Sequence, residues 1–223
     1  MKKLLLVILM LFFWSSQASA IYIGSLTFSM ADNKEFITKK VLNNNSTARV
    51  YQVSISRIDS PSDNEIKTRP ADGEILFSPK SLALEKGSSD FFKFFYHGPN
   101  DDQERYYRVS FTEIPTESKR ISQSNNTQVT VEPIVNIESI LVIRPRKIDF
   151  SWSFDKEKGV LTNTGNTFFK VLLKPNCEAT EEEGNSYYLR PKESVHDEIL
   201  TKKGDKIIIY NDNFHFISND CEP

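Results

Sequence analysis

The stretch from Gln128 to Pro145 constrains the fold of this chain more than any other. In its first half Val129, Val131, Val135 and Ile137 share one parity, with Pro133 between them. Thr130, Glu132, Asn136 and Glu138 take the other, broken only by Ile134. Successive side chains of a strand point to opposite sides, so this alternation marks a strand with one apolar face. The second half, Ile140 to Ile143, is continuously apolar, as in a strand covered on both faces. The whole is long beside the usual strand of about 5–6 residues. Pro133 has no N–H to give to a ladder, which argues for a sheet edge. A long edge strand with an apolar stripe invites pairing with another chain unless something covers it. Two readings stay open: the edge is offered to a partner, or this is a core strand bulged at Glu132-Pro133.

The chain begins with Lys2 and Lys3, an apolar run from Leu4 to Trp14, and Ala18-Ser19-Ala20. A charged start, an apolar run too short for a bilayer and a small-residue cleavage site predict a signal peptide over residues 1–20, removed after Ala20. No later segment approaches about 18 uninterrupted apolar residues, so no membrane span is expected. The formal charge is −2 for the whole chain, and −4 without Lys2 and Lys3. A mildly acidic chain carries no electrostatic footprint for nucleic acid.

The rest, from Ile21 to Pro223, is long enough for two domains of roughly 100 residues each. Short segments rich in Phe, Tyr, Val and Ile recur, and turn-forming residues separate them. The expected strands of the first half are Tyr22 to Ser29, Glu35 to Leu42, Arg49 to Ile58, Ile75 to Phe77, Ser81 to Leu84, Ser89 to Tyr96, Arg105 to Glu113 and Val129 to Ile143. Those of the second are Ile148 to Ser153, Gly159 to Thr162, Phe168 to Leu173, Tyr187 to Arg190, Val195 to Ile199 and Lys206 to Tyr210. Many short strands at close spacing predict an all-β chain of two β-sandwiches. Pro145 pushes Arg144 toward an extended conformation, so Arg144-Pro145-Arg146 reads as a short stiff hinge between a domain at 21–145 and one at 146–223.

Cys177 and Cys221 are the only cysteines. In an exported chain an isolated pair is expected to be a disulfide. Enzyme chemistry is absent from the sequence: there is no Gly-x-Ser-x-Gly elbow and no Gly-rich phosphate loop. His97, His196 and His215 do not stand at zinc-site spacing. No catalytic residue, metal or cofactor is therefore expected.

Several segments together resemble one family. Ile75-Leu76-Phe77-Ser78-Pro79-Lys80 followed by Ser81 to Gly87 is similar to a segment of the PapD-like periplasmic chaperones of chaperone–usher pili. Tyr106 to Pro115, ending in Glu-Ile-Pro, is similar to another. The long strand closing on Ile143-Arg144-Pro145 resembles the strand these chaperones lend to their clients. Asn163-Thr164-Gly165-Asn166 and Tyr210-Asn211-Asp212 stand where the family has a turn and an Asn-Asp pair. The resemblance covers the whole mature chain, and within the family it points to the branch serving the common pilus of enterobacteria.

The resemblance implies two immunoglobulin-like β-sandwiches, periplasmic localisation, fimbrial subunits as clients and an outer-membrane usher as the recipient. It implies donor-strand complementation through Val129, Val131, Val135 and Ile137, turned away from the chaperone's own core. It implies an interdomain ion network of Glu113, Arg144 and Asp212. The family's usual cationic anchor for the client's C-terminus has no match at its expected places, since its position on the long strand falls on Ile140 and the first strand has no basic residue, so that either the alignment slips, the anchor is absent or another cation takes its role. Lys39, Lys40 or Arg49 could serve instead. Competing readings are a fimbrial subunit or adhesin and another secreted two-domain binding module.

Overall fold

The computed structural model describes residues 21–62, 64–116, 133–218 and 220–221. The expected signal peptide, residues 1–20, lies outside the described residues. The first half contributes β1 (Ile21–Tyr22), β2 (Thr27–Met30), β3 (Phe36–Asn43), β4 (Arg49–Ile58), β5 (Lys67–Thr68), β6 (Ile75–Ser78), β7 (Ser81–Leu84), β8 (Ser89–Tyr96), β9 (Arg105–Pro115) and β10 (Val135–Ile143). The second contributes β11 (Trp152–Asp155), β12 (Val160–Asn163), β13 (Phe169–Leu173), β14 (Asn185–Leu189), β15 (Ser194–His196), β16 (Lys206–Tyr210) and β17 (Asn213–Ser218), with one 3-10 turn at Glu198–Thr201. No helix of the described residues is long and apolar enough to cross a membrane.

The strands of the first half form two sheets. One runs β1-β3-β8-β6, the other β2-β10-β9-β4-β5 with β7 also on β4. Their inward faces hold Tyr51, Phe92, Phe94, Tyr107, Phe111 and Leu141, all fully buried. Side chains of this size contribute roughly 1.5–3 kcal/mol each when removed from water. The alternation of β8 shows the cause: Phe92, Phe94 and Tyr96 point in, while Phe91 and Lys93 point out. The second half repeats the plan with sheets β11-β12-β15 and β14-β13-β16-β17 around Leu161, Phe169, Val171, Leu173 and Ile208.

One turn device recurs in both sandwiches. Asn43, fully buried, donates through Nδ2 to the carbonyls of Thr47 and Leu84, each at 2.9 Å, and its Oδ1 accepts from the Asn45 N–H. Asn163, also fully buried, donates to the carbonyls of Thr167 and Leu189 at 2.9 and 3.0 Å, and its Oδ1 accepts from the Gly165 N–H. In each case a side-chain amide replaces the ladder bonds that the turning backbone gives up.

Several strand expectations shift, among them the one at Tyr22 to Ser29, which is divided between β1 on one sheet and β2 on the other. The strand expected at Ile148 to Ser153 is found at Trp152–Asp155, because Asp149 and Ser151 are held by the Asn163 to Asn166 turn. The C-terminal strand β17 is not among the expected strands, although Asn213-Phe214-His215-Phe216 alternates; it pairs with β16 from Tyr210↔Asn213 to Lys206↔Ser218.

Cys177 and Cys221 form the expected disulfide, with their Cα atoms 5.3 Å apart. It ties the segment after β13 to the chain end after β17, closing a sequence separation of 44 residues. Loop-closure entropy assigns such a bridge roughly 3–4 kcal/mol. Cys177→Ser with Cys221→Ser should lower the stability of the second sandwich by about that amount, read as a lower denaturant midpoint that matches the reduced wild type.

Candidate functional site

The site is the half-covered strand β10. Along its whole length it pairs antiparallel with β9, from Val135↔Glu113 to Ile143↔Arg105, in unbroken register. On its other side it has a neighbour only over its second half, where β2 runs parallel from Ile140↔Thr27 to Ile143↔Met30. From Val135 to Ser139 the outer edge has no partner strand among the described residues. The N–H of Ile140 donates to the Leu26 carbonyl at 2.7 Å and that of Arg144 to the Met30 carbonyl at 3.1 Å. Ladder bonds repeat every second residue, so the N–H groups of Asn136 and Glu138 point to the same, open side. Continuing the β9 register by two residues would set Pro133 opposite Pro115. Neither has an N–H, which is why the ladder stops there.

The two faces of the open half differ. Asn136 and Glu138 lie outside, where Glu138 joins Lys67 at 2.9 Å and Asn136 accepts from the Thr112 hydroxyl at 3.2 Å. The Lys67 bond holds the Glu138 carboxyl below its ordinary range. Val135 and Ile137 lie inside, half-buried against the first core, in line with fully buried Ser139, Leu141 and Ile143. This corrects the expectation that the apolar parity faces away from the protein's own core. Leu141 and Ile143 fix the strand's phase, and period two carries it back to Val135 and Ile137. Their side chains sit at the mouth of the sandwich. Val129 and Val131 lie outside the described residues. The even residues of the second half do the opposite job: Val142 and Ile140 pack with Ile58, Tyr106 and Phe168 between the two sandwiches.

Glu113, Arg144 and Asp212 are not brought together. β9 and β10 are antiparallel, so Glu113 lies opposite Val135 while Arg144 follows Ile143 at the far end. Nine residue steps of strand separate them, about 30 Å. Glu113 is buried within the first sandwich, where it accepts from Asn45 at 2.8 Å and from the Tyr51 hydroxyl at 3.1 Å and pairs with Arg49 at 3.6 Å. Asp212 is exposed in a turn at φ 61°.

The carboxylate at the hinge is Glu104. It accepts from the Thr167 hydroxyl and the Phe168 N–H, each at 2.9 Å, and from Tyr106. Arg144, buried, donates to the same Thr167 hydroxyl at 2.6 Å and to the Phe168 carbonyl at 3.0 Å, and lies over the rings of Phe168 and Tyr210. Burial pushes the Glu104 carboxyl up and the Arg144 guanidinium down. Across Pro145, Arg146 turns back to the first sandwich and donates to the carbonyls of Ala31, Asp32 and Lys34 at 2.6–2.9 Å. Nothing in the sequence marks Glu104, which sits in a polar run just before β9 and gains meaning only from the chain that packs against it.

The three candidate anchors differ in setting. Lys39 is buried between the sheets, donates to the Ser25 carbonyl and lies 4.7 Å from the Phe28 ring centre, and burial pushes its ammonium down. Lys40 is exposed on the outer face of β3. Arg49 is held by Glu113.

Comparison with known proteins bears on this geometry. Residues 20–149 match the family model described as "Pili and flagellar-assembly chaperone, PapD N-terminal domain". A relative from Escherichia coli O18:K1:H7 (strain IHE3034 / ExPEC), "Probable fimbrial chaperone EcpE", is 50% identical over 220 residues, covering 99% of this chain and 92% of its own. The solved periplasmic chaperone SfaE aligns with a TM-score of 0.55 at 14% identity, over 88% of this chain and 96% of its own. A chain of the Salmonella enterica complex of SafA pilin with the SafB chaperone aligns at 0.53 and 16% identity, over 92% and 96%. At these identities the two structures share its fold.

Arg144→Ala should leave Glu104 buried without its nearby cation and cost on the order of 3 kcal/mol. Small-angle scattering should report a changed angle between the sandwiches, with the β9–β10 amide signals unmoved. The hinge also has an acid-sensitive clasp, because Asp101 accepts two bonds from Arg105, at 2.7 and 2.6 Å, and its carbonyl receives the Arg146 N–H. The Arg105 bonds hold the Asp101 carboxyl down to about 2. A carboxyl depressed in the folded state stabilises it above the ordinary carboxylate range and loses that contribution as pH falls toward 2. In Asp101→Asn this part of the acid dependence should vanish, giving a shallower decline of stability between neutral and acid pH.

Proposed function

The chain belongs to the family of PapD-like pilus-assembly chaperones, and from that premise we propose that it caps fimbrial subunits by donor-strand complementation in the periplasm and delivers them to an outer-membrane usher. It acts by binding alone and carries no catalytic step. One observation carries the reading: the first half of β10 has an unpaired backbone edge whose inward side chains are apolar and only half-buried. A client sandwich that lacks a strand exposes its core along a groove and has an unpaired edge of its own. Laid beside β10, it would gain ladder bonds from the N–H groups of Asn136 and Glu138, while Val135 and Ile137 close the joint between the two cores. Strand addition of this kind gives affinity through the backbone and specificity through alternate side chains. Val129 and Val131 would extend the same row toward the client, each apolar side chain contributing roughly 1.5–3 kcal/mol. Such a hold is firm, yet it can be exchanged residue by residue.

The hinge supports this use. We infer two bodies, 21–145 and 146–223, held at a set angle by Glu104, Arg144 and Arg146, with the covered half of β10 against the second sandwich and the open half running away from it. A fimbrial subunit would itself lack a strand; here β10 pairs with β9 along its full described length, which supports the donor role. The matched relatives are named as fimbrial chaperones, which supports it further.

The backbone part of the proposal is tested by Asn136→Pro. Proline removes an N–H that points to the open edge and is tolerated at edge positions, so the free protein should fold with its β9–β10 ladder intact. Recovery of co-expressed fimbrial subunit from the periplasm should fall at least about tenfold, the effect of 1.4 kcal/mol, while Asn136→Ala captures normally. Val131→Asp should act likewise by placing a charge in the client's dry groove. Full capture by both Asn136→Pro and Val131→Asp would rule out strand donation.

A further inference from the structure

The last strand of the second sandwich, β17, has one side without a partner. It ends the sheet β14-β13-β16-β17, and no strand pairs with its outer edge among the described residues. Phe214 and Phe216 stand on its outer face, 60% and 53% exposed. Their neighbours on that face are Ile209 and Ile207 of β16. His215 points the other way, to the rings of Phe150 and Trp152. From Asn213 to Ser218 there is no Lys, Arg, Asp, Glu or Pro, the residues that commonly keep an edge from pairing with another chain. The opposite edge of the sheet is bridged: Asn185 and Tyr187 of β14 both donate to Asp197, which follows β15 of the facing sheet.

The hairpin that leads into β17 sets which of its backbone groups are free. Asn211 and Asp212 both take positive φ, 48° and 61°, as a two-residue type I′ turn requires. The flanking pair Tyr210↔Asn213 closes that turn, and hydrogen-bonded pairs alternate with unbonded ones along the ladder. Ile208↔His215 is therefore the next bonded pair, and the N–H and C=O of Phe214 and Phe216 point to the open side. The register shift between Lys206 and Ile207 leaves out Ile217, just beyond them. The free backbone groups and the exposed aromatic side chains thus belong to the same two residues.

This pattern is its own complement. Set antiparallel to a second copy, with a two-fold axis at His215, Phe214 of each copy lies opposite Phe216 of the other. Both residues direct N–H and C=O outward, so each such pair exchanges two hydrogen bonds. A slip of one residue would set outward groups against inward ones. A slip of two would leave one aromatic of each copy against Asp212 or Ser218. In the symmetric register the rings share one face, where cross-strand aromatic pairs attract. No charged side chain of β17 opposes the approach, and a self-complementary two-fold contact is the commonest way identical chains associate. The surface is small. A phenylalanine buries about 150–250 Å², so four rings at this exposure bring together roughly 300–600 Å², well below the ~1,600 Å² of a standard interface. The contact is therefore a reversible one. The open half of β10 lies in the other sandwich, and no residue of β17 is among those that join the two sandwiches.

We propose that β17 is a dimer seam, through which two copies of this chain join second sandwich to second sandwich by antiparallel strand pairing. The inference does not depend on strand donation by β10. The test uses the whole protein without bound subunit. Sedimentation velocity at concentrations up to about 1 mM should show monomer and dimer in reversible exchange. In the wild type, amide hydrogen exchange at Phe214 and Phe216 should slow as concentration rises, while that at Asn136 and Glu138 does not change. Phe214→Lys with Phe216→Lys sets four cations in one seam and should weaken the dimer at least about tenfold. Phe214→Lys with Phe216→Glu sets each introduced lysine opposite an introduced glutamate of the other copy. It should dimerise at least about tenfold more tightly than the double-lysine variant. Both side chains are exposed in the monomer, so thermal unfolding of the dilute variants should match the wild type. A wild type that stays monomeric overturns the inference, as does association that protects Asn136 and Glu138 instead. Equal dimer affinity in the two variants overturns it as well. So does a double-lysine variant that keeps the wild-type dimer and loses subunit capture, because the edge would then hold the client.

Discussion

Everything in this structure depends on how the ladder of β10 is shared. A strand buried inside a sheet must satisfy its backbone on both sides. β10 does so only from Ile140 onward, where β2 covers it. Below that point one edge of the backbone is left to water, while the side chains still obey the phase set by Leu141 and Ile143. The result is an interior that reaches the surface. Val135 and Ile137 are neither core nor surface but a seam, and a seam of this kind can be continued by another sandwich without any change in β10. The proposed capping role then requires no moving part.

The second constraint is the hinge, where alternation does different work. Arg144 and Arg146 flank Pro145 and reach in opposite directions, one to Thr167 and Phe168 of the second sandwich, the other to three carbonyls of the first. Glu104 completes the joint from the first sandwich. Glu104 is met by donors from both bodies, Arg144 by acceptors and ring faces of the second, and Arg146 by carbonyls of the first. Rotation of one body would strand a guanidinium or a carboxylate in an apolar setting, which is what makes the angle a defined one. The apolar side of the same joint, Val142 against Phe168, comes from residues that alternate with the core positions of β10. One strand thus serves the core, the hinge and the open edge.

The buried polar groups follow a similar logic away from the site. Asn43 and Asn163 hold equivalent turns in two sandwiches whose sequences show no fixed repeat. Glu113 gathers Asn45, Tyr51 and Arg49 at the opposite end of the first sandwich from the hinge. A glutamate at the end of β9 therefore rigidifies the rim next to the open edge rather than the joint between the bodies.

The sequence alone determined those features that depend on local pattern. Alternation and turn residues specified where most of the strands lie. Two lone cysteines specified a bridge. The apolar run Ile140 to Ile143 announced a strand covered on both faces, which the core and the second sandwich supply. What the sequence could not determine is which side of a half-covered strand faces which neighbour, because period two is the same pattern whether the stripe points to its own core or to a partner's. Nor could it pair charges distant along the chain. Glu113 and Arg144 both end strands, but antiparallel register sends those ends apart. Glu104 carries no local signature and becomes the hinge carboxylate only because Thr167 and the Phe168 N–H arrive beside it. Register and packing are sums over distant residues, and they are decided only when the two sandwiches close.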